Sequence, residues 1–330
     1  MRRYELAGRR ALAWNGDAPV PVPGPGEVLV RVGAGTVCNR SDLAYYHYLG
    51  EREHCSQGVF GHEIAGTVEA AGAGVSRAAP GDRVFVRTPL TSGFAEFALA
   101  REIAVGKLPA EVPFTAGAIL QLLPLAVHAT RGVRLGDRVA ILGQGPVGLM
   151  ALQVAVRRGA LEVVAADLDP WRLEHSASLG AHRTVTLTDR NRVESDLIGA
   201  EFDVAIDAAG TPHTVNACVG LVRQNGLVVL LGTHHVDTHV TVDLIAWEKK
   251  GLRLHTAAEP TDTDRAAAMA VAERLAPSVA LAPLLTGTYP LERLPEAIDR
   301  LSASSLLFPA AEPGPYPGPP PRTLKLAIVP

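Results

Sequence analysis

The chain has 330 residues, 47% of them hydrophobic and 20% charged, with a formal net charge of −3. That length suits two domains with sizeable cores, and the composition is that of a globular chain rather than a disordered one. Dispersed Lys and Arg give no nucleic-acid or membrane footprint, no apolar stretch is long enough to span a bilayer, and Met1-Arg-Arg-Tyr-Glu5 leads into polar sequence without a signal-peptide core, so a cytoplasmic location is expected.

The first 35 residues or so read as strands and turns: Ala11–Trp14, a Pro-rich turn ending at Glu27, then Val28–Val32. A polar loop, Thr36-Val-Cys-Asn-Arg-Ser-Asp42, follows, and then Gly61-His-Glu-Ile-Ala-Gly-Thr-Val-Glu69. Short strands and turns at Gly81–Val86 and Gly93–Phe97 complete a β-rich entry, and Gln121 to Val133 reads as a connecting helix.

The next stretch, Arg138 to Pro170, reads as strand, glycine turn, helix, strand, acid. Val139-Ala-Ile-Leu142 suits a strand buried on both faces, and Gly143, Gly145 and Gly148 follow at G-x-G-x-x-G spacing. In such a unit the first Gly makes the tight turn, the second lets a pyrophosphate approach bare backbone and the third lets helix pack on sheet. The phosphates meet free N–H groups at the helix start. Gly143, Gly145, Pro146, Val147 and Gly148 are therefore candidate cofactor contacts. Val163–Ala166 forms a second strand ending in Asp167, nineteen residues past Gly148, where a carboxylate binds a ribose 2′-hydroxyl. A carboxylate there repels a 2′-phosphate, which favours NAD over NADP. Arg172 either accommodates such a phosphate or lies along the adenosine.

The alternation continues through a helix at Trp171–Leu179, a strand near Val185, the strand Phe202–Ile206 and a helix near Val215 to Val222. The strands Gly226–Leu231 and Leu252–His255 follow, with Gly232 after the former a further candidate cofactor contact. From about Glu259 an Ala-rich helix leads to the closing segment. Phe308 to Pro321 carries seven prolines and favours an extended loop, either a solvated insertion or a contact surface. Of the three cysteines, Cys218 falls in a helix and reads as a buried inert thiol, and no disulfide framework is possible.

Taken in order, PGPGEVLVRV, the Cys38-to-Asp42 loop, GHEIAGTVEAAGAGV, GDRV, GFAEF, the Gly143 unit, FDVAIDAAG and GLVVLLGT resemble the medium-chain dehydrogenase/reductases of the zinc alcohol and polyol dehydrogenase type. The resemblance covers nearly the whole length. It implies a Rossmann doubly wound parallel sheet, residues 123–258, inserted in a β-rich GroES-like catalytic domain, residues 1–122 and 259–330. It also implies hydride transfer between a secondary alcohol and NAD, one catalytic zinc, and a homodimer or homotetramer.

Zinc acting as a Lewis acid needs three protein ligands and an open position, and it lowers the pKa of a bound alcohol. By resemblance, Cys38 and His62 are the first two ligands, Glu63 is the acid that approaches the metal, and Gln121 stands where relatives carry a ligand Glu in a segment resembling EPLAVALHA. Ser41 passes the substrate proton and Asp42 orients His62. The Cys38 loop is one residue longer than in relatives, and their relay His is Ala44 here, with His47 a substitute. The readings of Cys38 as a buried hydrophobe, of Glu63 as a salt-bridge partner and of Gln121 as a packing residue stay open, as does a metal pair at His54 and Cys55. With no cysteine between Cys55 and Cys218, the four-cysteine structural zinc lobe is absent. A zinc-free reductase and a non-catalytic dinucleotide-binding protein are the competing functions.

Overall fold

A computed structural model describes residues 1–52, 55, 58–189, 197, 201–232, 238–305, 308 and 322–330. The chain divides into two compact units, residues 1–124 with 261–330 and residues 125–260.

The first unit begins with strands β1 (Arg3–Gly8) and β2 (Ala11–Asn15), a small antiparallel pair. Strand β3 (Glu27–Thr36) is followed by a loop and helix α1 (Ser41–Tyr48). The polar loop expected through Asp42 thus ends at Arg40, and Ser41 and Asp42 occupy the first turn of α1. Asp42 is well placed there, since a carboxylate favours the positive end of the helix dipole. Strands β4 (Glu63–Ala71), β5 (Arg83–Arg87), β6 (Phe97–Arg101) and β7 (Val105–Lys107) continue the sheet. Strand β3 pairs with both β4 and β6, so it is the spine of this unit. Its alternation buries Val28, Val30 and Val32 against Ile64, Val84, Val86 and Ala98, as a strand with one core face requires. Helix α2 (Phe114–Gly117) and a 3-10 turn, Ala118–Gln121, pack on this sheet.

In the second unit, helix α3 (Leu122–Ala129), which starts just before the boundary, ends in a further 3-10 turn, Thr130–Gly132, so the expected connecting helix is realised in three pieces. Strand β8 (Arg138–Leu142), helix α4 (Pro146–Arg157), strand β9 (Glu162–Asp167), helix α5 (Pro170–Ser178) and strand β10 (Arg183–Thr186) form the first half. Strand β11 (Phe202–Asp207), helix α6 (Pro212–Leu221), strand β12 (Val222–Leu230), helix α7 (Leu244–Lys250) and strand β13 (Arg253–Thr256) form the second. Among the described residues the sheet is six-stranded in the order β10-β9-β8-β11-β12-β13, and each printed pairing is parallel. Counted within the unit this is 3-2-1-4-5-6, the doubly wound order with its switch point between β8 and β11. Cys218 lies in the core between α6 and the sheet, with Ala140, Phe202 and Val228. Burial pushes its thiol pKa well up, with Asp207 adding to the shift.

The chain then returns to the first unit with helix α8 (Asp262–Leu275), strand β14 (Leu285–Pro290), helix α9 (Leu294–Ala303) and strand β15 (Lys325–Val329). Strand β15 lies between β14 and β3, pairing Ala327 with Thr36. The Pro-rich stretch after Phe308 lies outside the described residues, as does His54.

Candidate functional site

In the first unit the site is built where β3 and β4 begin and end beside β15. Thr36 and Glu63 are paired across β3 and β4, so the loop after β3, carrying Cys38, meets the residues just before β4, carrying His62. Gly61, with φ +74°, makes the turn into His62, a left-handed conformation that a side chain would strain. Ligand atoms of Cys38, His62 and Glu63 lie within 4.8 Å of one another.

Asp42 holds this cluster together. It is fully buried. One oxygen, Oδ2, accepts from the Cys38 N–H at 2.8 Å, and Oδ1 accepts from the Gly61 N–H at 2.9 Å. Oδ1 is also 3.4 Å from His62 Nδ1, which lies 3.2 Å from the Val59 carbonyl oxygen. With Nδ1 engaged by these acceptors, it carries the proton and leaves Nε2 for the Cys38 side, the arrangement of a metal-binding imidazole. Burial pushes the His62 pKa down, but Asp42 and Cys38 together raise it well above the ordinary imidazole value. Burial and Glu63 push the Cys38 thiol up, yet His62 and Lys325 outweigh them and the thiol lies below its usual value. The cluster thus favours a thiolate–imidazolium pair, and a metal bound there would displace the proton on His62 Nε2.

Glu63 has a partner absent from the sequence reading. Lys325 Nζ donates to both carboxylate oxygens at 2.7 and 2.6 Å and to the Val37 carbonyl oxygen at 3.2 Å, and Thr36 Oγ1 donates to Glu63 Oε2. Lys325 is 1% exposed and Glu63 0%. The salt-bridge reading of Glu63 therefore holds in this structure, while the carboxylate still belongs to the three-residue cluster. The only sequence signal for Lys325 was a lysine inside an otherwise apolar strand, Lys325-Leu-Ala-Ile-Val329. The extra residue in the Cys38 loop also has a place, because Asn39 Nδ2 donates to the Leu324 carbonyl oxygen at 2.7 Å and ties the loop to the end of the chain.

Gln121 ends the 3-10 turn packed on β4 and β5. It is 3% exposed, and no described donor reaches its buried Oε1. An amide oxygen left without a partner in the interior costs about 1–3 kcal/mol, which a cation would offset. Thiolate, imidazole and carboxylate in the three-residue cluster make a donor set that fits zinc.

His47 is a correction. It is buried, with Arg10 Nε donating to Nδ1 at 3.2 Å and Nε2 2.9 Å from Ser302 Oγ, and its ring stacks on Phe308 at 5.6 Å. Since Nδ1 accepts, Nε2–H donates, and the ring is neutral. Burial and then Arg10 and Arg9 push its pKa down to about 4. Nδ1 is engaged by Arg10 beside β2 and Nε2 by Ser302 of α9, and His47 is not among the residues clustered at Cys38. Cys55 is likewise buried, and burial pushes its thiol up.

In the second unit each glycine of the turn answers a distinct constraint. Gly143 has φ +97°. A Cβ at Gly148 would lie 2.0 Å from the Gly143 carbonyl oxygen, whereas one at Gly145 would meet nothing within 4 Å. The helix packs through Gly148, and the space over Gly145 is open. Gly145 is the N-cap of α4 without a side-chain cap, and Pro146 stands at its first turn. The early N–H groups of that turn, from Val147 on, are those an anion satisfies. Asp167 ends β9, its Oδ2 accepting from the Gln144 N–H at 2.6 Å and its Oδ1 from Asp169 N–H at 2.9 Å. Arg172 Nη1 lies 3.9 Å from Asp167 Oδ2. Gly232 donates its N–H to the Asp207 carbonyl oxygen at 2.7 Å, and a Cβ there would strike Gly210.

Comparison with known proteins decides the family. Residues 24–110 match the alcohol dehydrogenase GroES-like domain and residues 146–272 the zinc-binding dehydrogenase family. Human sorbitol dehydrogenase is 30% identical over 324 residues, covering 85% of this chain and 87% of that protein. The chain belongs to the zinc-type alcohol and polyol dehydrogenases of the medium-chain dehydrogenase/reductase superfamily. It is an alcohol dehydrogenase or reductase by family, so the non-catalytic reading is set aside. Among solved structures, an alcohol dehydrogenase from Thermus sp. ATN1 superposes with a TM-score of 0.78 at 26% identity, over 100% of this chain and 99% of its own. A dehydrogenase from Sinorhizobium meliloti 1021, solved with NADP, has the same fold, with a TM-score of 0.79 at 24% identity and coverage of 100% and 99%. No helix among the described residues of this dehydrogenase is long and apolar enough to cross a membrane.

Proposed function

We propose that the protein is an NAD-dependent dehydrogenase of polyols or similar secondary alcohols, assisted by one catalytic zinc. The observation that carries this reading is the cluster of half-buried Cys38 and His62 with buried Glu63, together with the orphaned Gln121 oxygen in the same unit. Those four residues would hold the metal, which when bound polarises an alcohol oxygen and lowers its pKa. The sorbitol dehydrogenase relatives support a polyol as substrate class.

Around that centre the chain supplies orientation and proton transfer. Asp42 fixes His62 and the Cys38 backbone at once. Lys325 neutralises Glu63, so the cluster carries less negative charge than its donors suggest. Gln121 brings no charge in place of the carboxylate of relatives, which weakens metal affinity and leaves the metal more electrophilic. Ser41, whose N–H lies 3.4 Å from Cys38 Sγ, presents the hydroxyl that accepts the substrate proton. In the second unit Gly143, Gly145, Pro146, Val147, Gly148 and Gly232 line the dinucleotide site, and Asp167 takes the ribose hydroxyls. The negative charge of the Asp167 carboxylate repels a 2′-phosphate and so favours NAD. Arg172 beside it lowers that preference without reversing it.

A Cys38→Ser variant tests the assignment. It is expected to lose at least about 100-fold in turnover of a polyol panel with NAD and to retain NAD affinity. Unchanged turnover would favour the zinc-free reductase, in which Ser41, Asp42 or a water manages the proton alone.

A further inference from the structure

Helix α1 carries a hydroxyl that the reading above leaves unused. Residues four apart on a helix are surface neighbours, and the Tyr45 hydroxyl is hydrogen-bonded to Ser41. Tyr45 is 8% exposed. Burial first, then the charges of Asp42 and Cys38, push its pKa up to about 12. It is therefore a neutral phenol throughout the working range, able both to donate and to accept. The phenol oxygen also lies against Gly58, which is exposed and where a Cβ would lie 1.8 Å from it. Only a glycine at position 58 leaves room for that oxygen beside an exposed residue. Ala44 has no group that moves a proton, and both ring nitrogens of His47 are committed to Arg10 and Ser302.

We propose that Tyr45 is the second hydroxyl of a two-step proton relay, receiving a proton from Ser41 and releasing its own to solvent beside Gly58. This rests on the assignment of Ser41 as acceptor of the substrate proton. In alcohol oxidation the substrate O–H proton passes to Ser41 Oγ as Ser41 gives its own proton to Tyr45 Oη, and Tyr45 gives its own to water. Each hydroxyl ends with one proton, the carbinol C–H bond breaks as its electron pair leaves with hydride to the dinucleotide, and the net release is one proton. Reduction runs the same chain inward. A second hydroxyl behind Ser41 also fixes the Ser41 rotamer, so the acceptor lone pair is presented before substrate arrives.

The test compares Tyr45→Phe, Ser41→Ala and the double variant, in the metal-loaded enzyme with a polyol substrate. Tyr45→Phe keeps the ring and removes only the hydroxyl. It is expected to lower kcat about 10- to 100-fold, at or below the range of a positioned acid–base group. KM should stay within about twofold, and the solvent deuterium isotope effect on kcat should rise as proton transfer becomes limiting. In the Ser41→Ala background the same change should add nothing. Gly58→Ala, which displaces the hydroxyl from the surface side, should lower kcat in the same sense and keeps the question answerable if Tyr45→Phe folds poorly. A slow Ser41→Ala enzyme with folded Tyr45→Phe at wild-type kcat and isotope effect would overturn the relay alone. Wild-type kcat in Ser41→Ala would overturn the Ser41 assignment and the relay with it. Independent, multiplying losses in the double variant would also contradict a shared path.

Discussion

Lys325 shows how much of this site depends on single charges. A lysine at 1% exposure is stable only because Glu63, itself 0% exposed, takes its ammonium on both oxygens. Removing one member leaves the other charged and buried, which costs about 3–5 kcal/mol. Lys325→Met is therefore expected to lower the urea midpoint sharply, whereas Lys325→Met with Glu63→Gln should recover most of the loss, since no buried charge remains. Equal midpoints for the single and wild-type proteins would show that the pair is not buried in solution. The sequence identified Glu63 because GHE is a local pattern, but Lys325 lies 262 residues away from it, and a lone lysine in an apolar strand reads as a snorkelling side chain. Asp42 and His62 were legible for the opposite reason, as each sits in a short motif. His47 misled because nearness in sequence to Asp42 says nothing about direction on a helix. Five residues along α1 its ring faces α9, where burial and two arginines keep it neutral.

Among the elements, the turn between β8 and α4 separates two roles that the glycine pattern merges. Gly148 is a packing residue, since any side chain there meets backbone at 2.0 Å, whereas Gly145 opens onto empty space at the helix start. Gly148→Val should destabilise the fold by about 1–3 kcal/mol or more, as overpacking against backbone cannot relax. Gly145→Val should leave the thermal midpoint nearly unchanged and weaken NAD binding at least about tenfold, or ~1.4 kcal/mol. Isothermal titration beside a melting curve separates the two, and a Gly145→Val protein with wild-type affinity would remove the pyrophosphate from this turn. The βαβ unit was legible because its constraints are local: a buried strand, three glycines and an acid within one stretch of chain. Helix α1 was not, since Ser41-Asp-Leu-Ala-Tyr-Tyr-His-Tyr48 lacks a clear apolar stripe and its start is set by Asp42 bonding back to the loop. Strand β14 and helix α9 were also passed over, their sequence being absorbed into a general closing segment.

At the scale of the whole molecule the chain leaves the first unit, builds the second and returns. The return completes the site: β15 brings Lys325 to Glu63, and the Leu324 carbonyl anchors Asn39 beside Cys38. A cluster that begins at Cys38 is thus finished by residues near the other end, which ties the chemistry to correct folding of the entire first unit. A β-rich entry and a Rossmann alternation differ in period and were readable from the motifs, whereas the return to the first part after about Glu259 came from the family resemblance alone. The measurement that tests the central claim most directly is metal content joined to turnover. Purified protein should carry about one zinc per chain, lose NAD-linked polyol oxidation on chelation and regain it with added zinc, while Cys38→Ser holds none. A wild-type chain that purifies without zinc and oxidises polyols equally well before and after chelation would contradict the account.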